Sequence, residues 1–396
     1  MHRLNTVSNR RASLDPGAET ANALRLALWL RLAHRSMLRY TRSQTGMEAV
    51  AQFRGGPVRI GIIGAGRIGR VHCAALARMS NLAQVVVIAD FIEQAAQAAA
   101  KEFRIPRAVK DWQEVVQSPE VDAVIICSPS DTHYEIIVAA ARAGKQIFCE
   151  KPIDYDLERI DNALSEVKRA GVQMQIGFQR RFDANFRRVR EAVASGEIGE
   201  PYSLHIISRD PAPPPLAYLK QSGGLFFDMM THDFDMARFT MGSEIVEVVA
   251  AAGANLVDPQ IGEQAGDIDT AIVTLRFANG AIGTIECCRK AAYGYDQRIE
   301  IHGSKGNVST ANNFPNNATL QDGASVRRDL PLNFFMDRYR DAYALEMETF
   351  VRCIMEGKAV PVTGEDGRMP VVLAYAARKS MKERRAVRIG EFMSKL

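Results

Sequence analysis

The chain has 396 residues, 47% apolar and 24% charged, which is enough for two packed domains and excludes a disordered or fibrous protein. Its formal net charge of +4 is small, and the excess sits in the first 46 residues, where eight arginines meet only Asp15 and Glu19. The remainder is close to neutral, which argues against a nucleic-acid or membrane partner.

Residues 1–56 do not read as part of a packed domain. The stretch Ala21–Leu38 is apolar but broken by Arg25, Arg31 and Arg35, and it lacks the uninterrupted apolar core and cleavage site of a secretory signal. An ill-ordered extension or a non-native start is expected, with Met47 as the alternative first residue; an arginine-rich, acid-poor helix is also how a mitochondrial transit peptide reads. The six cysteines form no CxxC pair, so a reducing compartment, the cytoplasm, is expected. No run of about 18 uncharged apolar residues suggests a spanning helix.

From Val58 onwards apolar runs alternate with helical spacing. Strands are expected at Val58–Ile63, Val85–Ala89, Ala123–Cys127, Gln146–Cys149 and Gln173–Ile176, with helices at Ile68–Arg78, Ala95–Phe103, His133–Ala143 and Leu157–Ala170. That alternation indicates βαβ units around a parallel sheet. After Gly177 come extended runs without intervening helices: Tyr202–Ser208, Val246–Ala251, Thr270–Phe277, Ala281–Cys287 and Gln297–His302. Ala278-Asn279-Gly280 reads as a tight hairpin between the third and fourth of these. Helical patterns return at Tyr343–Met355 and Pro370–Lys382. The expected fold is an α/β Rossmann domain over residues 57–176, then an α+β domain with a large, mostly antiparallel sheet over residues 177–396.

The loop Gly64-Ala65-Gly66-Arg67-Ile68-Gly69 follows the first strand and opens the first helix, the setting in which a GxGxxG pattern denotes a dinucleotide site. Gly64 permits the turn, Gly66 lets backbone approach a pyrophosphate, and Gly69 lets helix and strand pack closely. Asp90, ending the second strand, suits ribose hydroxyls and repels a 2′-phosphate, so NAD is expected over NADP. A further cofactor contact is expected at the turn holding Ser128, Pro129 and His133, although His133 reads equally well as a helix-start residue. Glu150, at the end of the next main strand, is placed in the same site.

Lys151 follows that strand directly and is delivered to its carboxyl edge, with Pro152 fixing the exit. There an ammonium can polarise a hydroxyl or carbonyl oxygen. Asp228 and His232 are spaced to share one helix face. A histidine titrating near neutrality can accept the proton that an alcohol must lose as its hydride leaves. Alone, such a pair is commonly a capping or surface feature; with Lys151 it reads as a catalytic site. The scattered histidines offer no metal-ligand spacing, so no metal is expected.

The segments GIIGAGRIGRVH, IFCEKPI and SGGLFFDMMTHDFDMARF resemble the Gfo/Idh/MocA oxidoreductases. GFQRRFDANF, SRDPAPP, AAYGYDQRIEIHGSKG and FFMDRYRDAYALEMETF are most similar to the inositol 2-dehydrogenases among them. The resemblance runs from about Val58 to the C-terminus. It implies Lys151, Asp228 and His232 as the catalytic trio, with Arg180, Asp210 and one of Tyr293 and Tyr295 near a polyol. It also implies a homo-tetramer and NAD-dependent oxidation of myo-inositol to the inosose. Another inositol isomer, a pyranose sugar or a catalytically silent nucleotide sensor are the alternatives.

Overall fold

The computed structural model describes residues 55–253 and 255–393. The expectation for the N-terminal extension falls, up to residue 54, outside the described residues.

The first half alternates as read: β1 (Val58–Ile63), α1 (Arg67–Ala77), β2 (Ala83–Ala89), α2 (Glu93–Phe103), β3 (Arg107–Val109), α3 (Trp112–Gln117), β4 (Ala123–Ile126), α4 (His133–Arg142), β5 (Gln146–Glu150), α5 (Leu157–Ala170) and β6 (Met174–Gly177). These six strands form one parallel sheet in the order β3-β2-β1-β4-β5-β6. Its central strands are apolar on both faces, as β4 with four buried residues shows, because helices cover both sides. β3 and α3 escaped the sequence reading: three residues and six are too short to set up a period. The strand order reverses between β1 and β4, so the carboxyl ends of β1, β4 and β5 open side by side onto the crevice where this sheet type binds ligands.

The second half runs α6 (Ala184–Ala194), β7 (Pro201–Arg209), α7 (Leu216–Leu219), α8 (Leu225–Asp228), α9 (Met230–Met241), β8 (Ile245–Gly253), α10 (Pro259–Ala265), β9 (Thr270–Phe277), β10 (Ile282–Cys288), β11 (Asp296–Gly303), β12 (Gly306–Ser309), β13 (Thr319–Gln321), β14 (Val326–Arg328), α11 (Phe335–Arg338), α12 (Arg340–Glu356), α13 (Gly364–Glu383), β15 (Val387–Arg388) and α14 (Gly390–Met393). Seven strands form a sheet in the order β12-β11-β7-β10-β9-β8-β15. It is mostly antiparallel, as expected, but β7 and β10 pair in parallel. β9 alternates buried and exposed positions because α9 and α13 cover one face and leave the other open. The Ala278–Gly280 hairpin forms, with Gly280 at φ 90°.

Two helices differ from the sequence reading. α13 begins at Gly364 rather than Pro370, since Thr363 and Asp366 form a capping box upstream and Pro370 is carried inside the helix. The segment holding Asp228 and His232 is not one helix: α8 stops at Asp228, Met229 intervenes as a turn, and α9 starts at Met230.

Candidate active site

At the end of β1, Gly64 adopts φ +106°, and a side chain there would strike the Cys127–Ser128 backbone at 2.6 Å. A Cβ on Gly69 would lie 1.9 Å from the Gly64 carbonyl oxygen, so these two glycines set the approach of α1 to β1 and β4. Gly66 is different. It caps α1 without a side-chain hydrogen bond, and a Cβ there would meet nothing within 4 Å. Free amides at a helix start, beside open space, fit the pyrophosphate of a dinucleotide. Arg67 and Ile68 begin the helix, and the Arg67 guanidinium lies 5.7 Å from the centre of the Phe334 ring.

Asp90 reaches back to this loop. One carboxylate oxygen accepts from the Ala65 amide at 2.7 Å and the other from the Ile92 amide at 2.8 Å. Each retains a lone pair, so the carboxylate that ties down the loop can still receive ribose hydroxyls. Phe91 beside it is 84% exposed, with the Lys110 ammonium 5.4 Å from its ring centre.

The turn after β4 requires one correction. Ser128 and Pro129 sit at its surface, where the Ser128 and Thr132 hydroxyls share a 2.7 Å hydrogen bond. His133, however, is fully buried, with Nδ1 2.8 Å from the Pro152 carbonyl and Nε2 2.9 Å from the Ser128 carbonyl. Burial lowers its pKa. Set on these two carbonyls, it braces the Ser128 turn against the segment that follows Lys151. Glu150 also faces inward, 2.7 Å from His72 Nε2.

Lys151 leaves β5 through a cis peptide to Pro152, and its ammonium donates to the Asp228 backbone carbonyl at 3.0 Å. The Asp228 carboxylate is held elsewhere: Oδ1 accepts from the Tyr218 hydroxyl at 2.8 Å and Oδ2 from the Arg289 guanidinium at 3.1 Å. His232 packs edge-on to Phe178, and its Nδ1 is buried without a partner, which leaves Nε2 as the nitrogen able to meet a ligand. Among the described residues no hydrogen bond joins Asp228 to His232. Met229 keeps helical dihedrals between the two residues, but Tyr218 and Arg289 take both oxygens of the Asp228 carboxylate. Burial, then the Lys151 ammonium, then the Arg180 guanidinium hold the His232 pKa well below its usual value. The imidazole is therefore neutral at pH 7, the form that accepts a proton.

Arg180 is buried, donating to Asp233 at 2.6 Å and to the Tyr295 hydroxyl at 3.4 Å. Tyr295 thus stands on the Arg180 side of His232. Tyr293 turns away, donating to Asp296 at 2.6 Å and accepting from Arg209 at 2.5 Å. Asp210 follows β7, and burial together with Asp228 pushes its carboxyl up to about 7. Its side chain makes no hydrogen bond among the described residues.

Sequence reasoning missed Tyr218, Arg289 and Asp267. Arg289 is fully buried and bridges Asp228 to Asp267 at 3.2 Å, while Asp267 accepts from the Leu225 amide at 3.0 Å. No local pattern announces this chain of contacts, because its members come from α7, α8, the segment before β9 and the residue that follows β10. An arginine directly after an apolar strand run was the one available signal.

The family described as "Oxidoreductase family, NAD-binding Rossmann fold" matches residues 58–178, and the Gfo/Idh/MocA C-terminal domain matches residues 186–309. A myo-inositol 2-dehydrogenase of Thermotoga maritima is 47% identical over 84% of this chain and 99% of its own length. An inositol 2-dehydrogenase of Rhizobium meliloti is 45% identical over 84% and 99%. The crystal structure of scyllo-inositol dehydrogenase from Lactobacillus casei with bound NAD(H) and scyllo-inositol superposes with a TM-score of 0.79 at 31% identity, covering 84% of this chain and 99% of that one. The chain belongs to the Gfo/Idh/MocA oxidoreductases and carries their NAD-binding Rossmann fold.

Proposed function

We propose that this Gfo/Idh/MocA oxidoreductase oxidises a secondary ring hydroxyl of myo-inositol to the ketone, with His232 as general base and NAD as hydride acceptor. The observation that carries the reading is a neutral His232 set beside the Lys151 ammonium, at the carboxyl edge of a sheet whose glycine loop suits a dinucleotide. Names of relatives at 45% and 47% identity support the substrate.

NAD supplies the acceptor for the hydride that leaves the carbinol carbon. His232 Nε2 takes the hydroxyl proton as that C–H bond breaks. The Lys151 ammonium stabilises negative charge building on the same oxygen, held in place by the Asp228 carbonyl; a preorganised charge of this kind lowers the barrier without reorganising. The Asp228 carboxylate, fixed by Tyr218 and Arg289, orients the reacting hydroxyl or its neighbour. Arg180, Asp210 and Tyr295 complete the polyol pocket. Gly64, Gly66, Arg67, Ile68, Gly69, Asp90, Ser128 and Pro129 line the cofactor side, with Glu150 and His133 supporting it from below.

The second reading is scyllo-inositol, favoured by the 31% identical structure that holds it. A panel of inositol isomers and hexoses with NAD tests both: the proposal expects NADH to accumulate fastest with myo-inositol, and turnover of glucose without inositol turnover overturns it.

A homo-tetramer in the cytoplasm completes the proposal. Tyr202, Val249, Ile272 and Ile282 leave apolar side chains exposed on the seven-stranded sheet, and all six cysteines are free.

A further inference from the structure

Beneath the candidate active site lies a group of buried polar side chains to which the proposed chemistry assigns no step. In the β5–β6 pairing Phe148 is matched to Gln175 and Glu150 to Gly177, so these four residues face one side of the parallel sheet. α1 and α12 pack against each other on that side, bringing His72 from one and Tyr343 and Glu346 from the other. The Glu150 carboxylate fills the space where Gly177 lacks a side chain, since a Cβ there would lie 2.9 Å from it. His72 Nε2 meets Glu150 at 2.7 Å, and the His72 ring is edge-on to Phe148 and Tyr343.

Glu346 is fully buried, and neither of its carboxyl oxygens has a partner. Gln175 donates to its backbone carbonyl at 3.3 Å but not to its side chain. No ion pair reaches it among the described residues. The titratable groups around it are Glu150 on β5, His72 on α1, Cys127 after β4 and Tyr343 on its own helix, none of them a fixed cation. Two carboxylates in one dry space cannot both carry charge. Burial, then Glu150, push the Glu346 carboxyl well above the usual carboxylate range.

We infer that Glu346 is carried as a neutral acid beside Glu150, and that this pair, clamped through the contact of Glu150 with His72, is a positioning device for Lys151. The clamp links the last residue of β5, immediately before Lys151, to α1, which begins at the glycine loop. A neutral Glu346 leaves the Glu150 carboxyl to its 2.7 Å contact with His72. Ionisation of Glu346 would set two like charges against each other beneath Lys151, and the strand end would shift. The link to catalysis rests on the role proposed above for Lys151; the protonation state does not.

The experiment compares wild type with Glu346→Gln, a permanently neutral isostere, in two readouts across pH. Unfolded glutamate ionises near 4.3. A group whose folded pKa is raised contributes stability that is complete below that value and lost as pH rises toward the folded pKa. The thermal midpoint of E346Q should therefore gain on wild type progressively above about pH 5, with or without catalysis. The kcat of wild type on its best polyol should fall on the alkaline side, and E346Q should keep near-wild-type kcat at neutral pH and lose that fall. A midpoint difference that stays flat with pH overturns the neutral acid. A rising midpoint difference with an identical alkaline limb overturns the positioning role. Wild type that reduces no NAD with any polyol, while the midpoint difference still rises, defeats the proposed function and the positioning role with it, and leaves the neutral acid standing.

Discussion

The Lys151 ammonium donates to the backbone carbonyl of Asp228 at 3.0 Å, so a residue that ends a Rossmann strand is fixed by the last residue of a helix from the second half of the chain. That bond sets the cation beside His232 and explains part of the depressed His232 pKa. Two consequences follow for Lys151→Met. Turnover should fall about a hundredfold or more, as for the loss of an oxyanion-stabilising group. The His232 pKa should rise once the cation is gone, so the acid limb of kcat/KM should move to higher pH. Residual activity measured from pH 5 to 8 checks the sign; a limb displaced to lower pH would refute it.

His232→Ala should cost about two orders of magnitude or more in kcat and leave NAD affinity unchanged, because the imidazole is assigned to the substrate proton and not to the dinucleotide. Cofactor titration by protein fluorescence alongside steady-state kinetics separates these effects.

Two glycines of the loop, Gly69 and Gly66, should behave differently. Gly69→Ala forces a Cβ to 1.9 Å from the Gly64 carbonyl and should destabilise the fold severely. Gly66→Ala meets nothing within 4 Å, so its thermal midpoint should match wild type while NAD affinity falls, since the methyl occupies the room assigned to the pyrophosphate. A Gly66→Ala protein that binds NAD normally would remove the pyrophosphate from this loop.

This contrast shows what the sequence could and could not convey. GxGxxG was legible as a motif because its spacing is local, and five strands of the parallel sheet because helix and strand periods alternate over long runs, the three-residue β3 being too short to show. The parallel pairing of β7 with β10 was not, since it joins strands far apart in the chain. His133 carried a polar residue's signature at a helix start, yet tertiary packing buried it on two carbonyls. Asp228 and His232 are four apart across helical backbone, yet tertiary contacts with Tyr218 and Arg289 take the carboxylate.

Arg289 therefore becomes testable as the support of Asp228. Arg289→Met leaves Asp228 and Asp267 without their shared cation. Breaking a buried ion pair costs about 3–5 kcal/mol, so a marked drop in the denaturant midpoint is expected together with a fall in kcat. Tyr218→Phe removes a single hydrogen bond, about 1 kcal/mol, and should lower kcat with little change in stability.

Asp90→Ser should relax the preference for NAD over NADP, because the carboxylate that repels a 2′-phosphate is gone. The ratio of kcat/KM for the two cofactors reports this, and an unchanged ratio would show that Asp90 serves only the Ala65 and Ile92 amides.

The proposed reaction is direct hydride transfer from the carbinol carbon of a cyclic polyol, with the hydroxyl proton leaving to His232. Myo-inositol deuterated at the reacting carbon tests it most directly. NAD should be converted stoichiometrically to NADH carrying that deuterium, with turnover slowed by the label in the wild type. Deuterium appearing in water, or product formed with no net NADH, would contradict it.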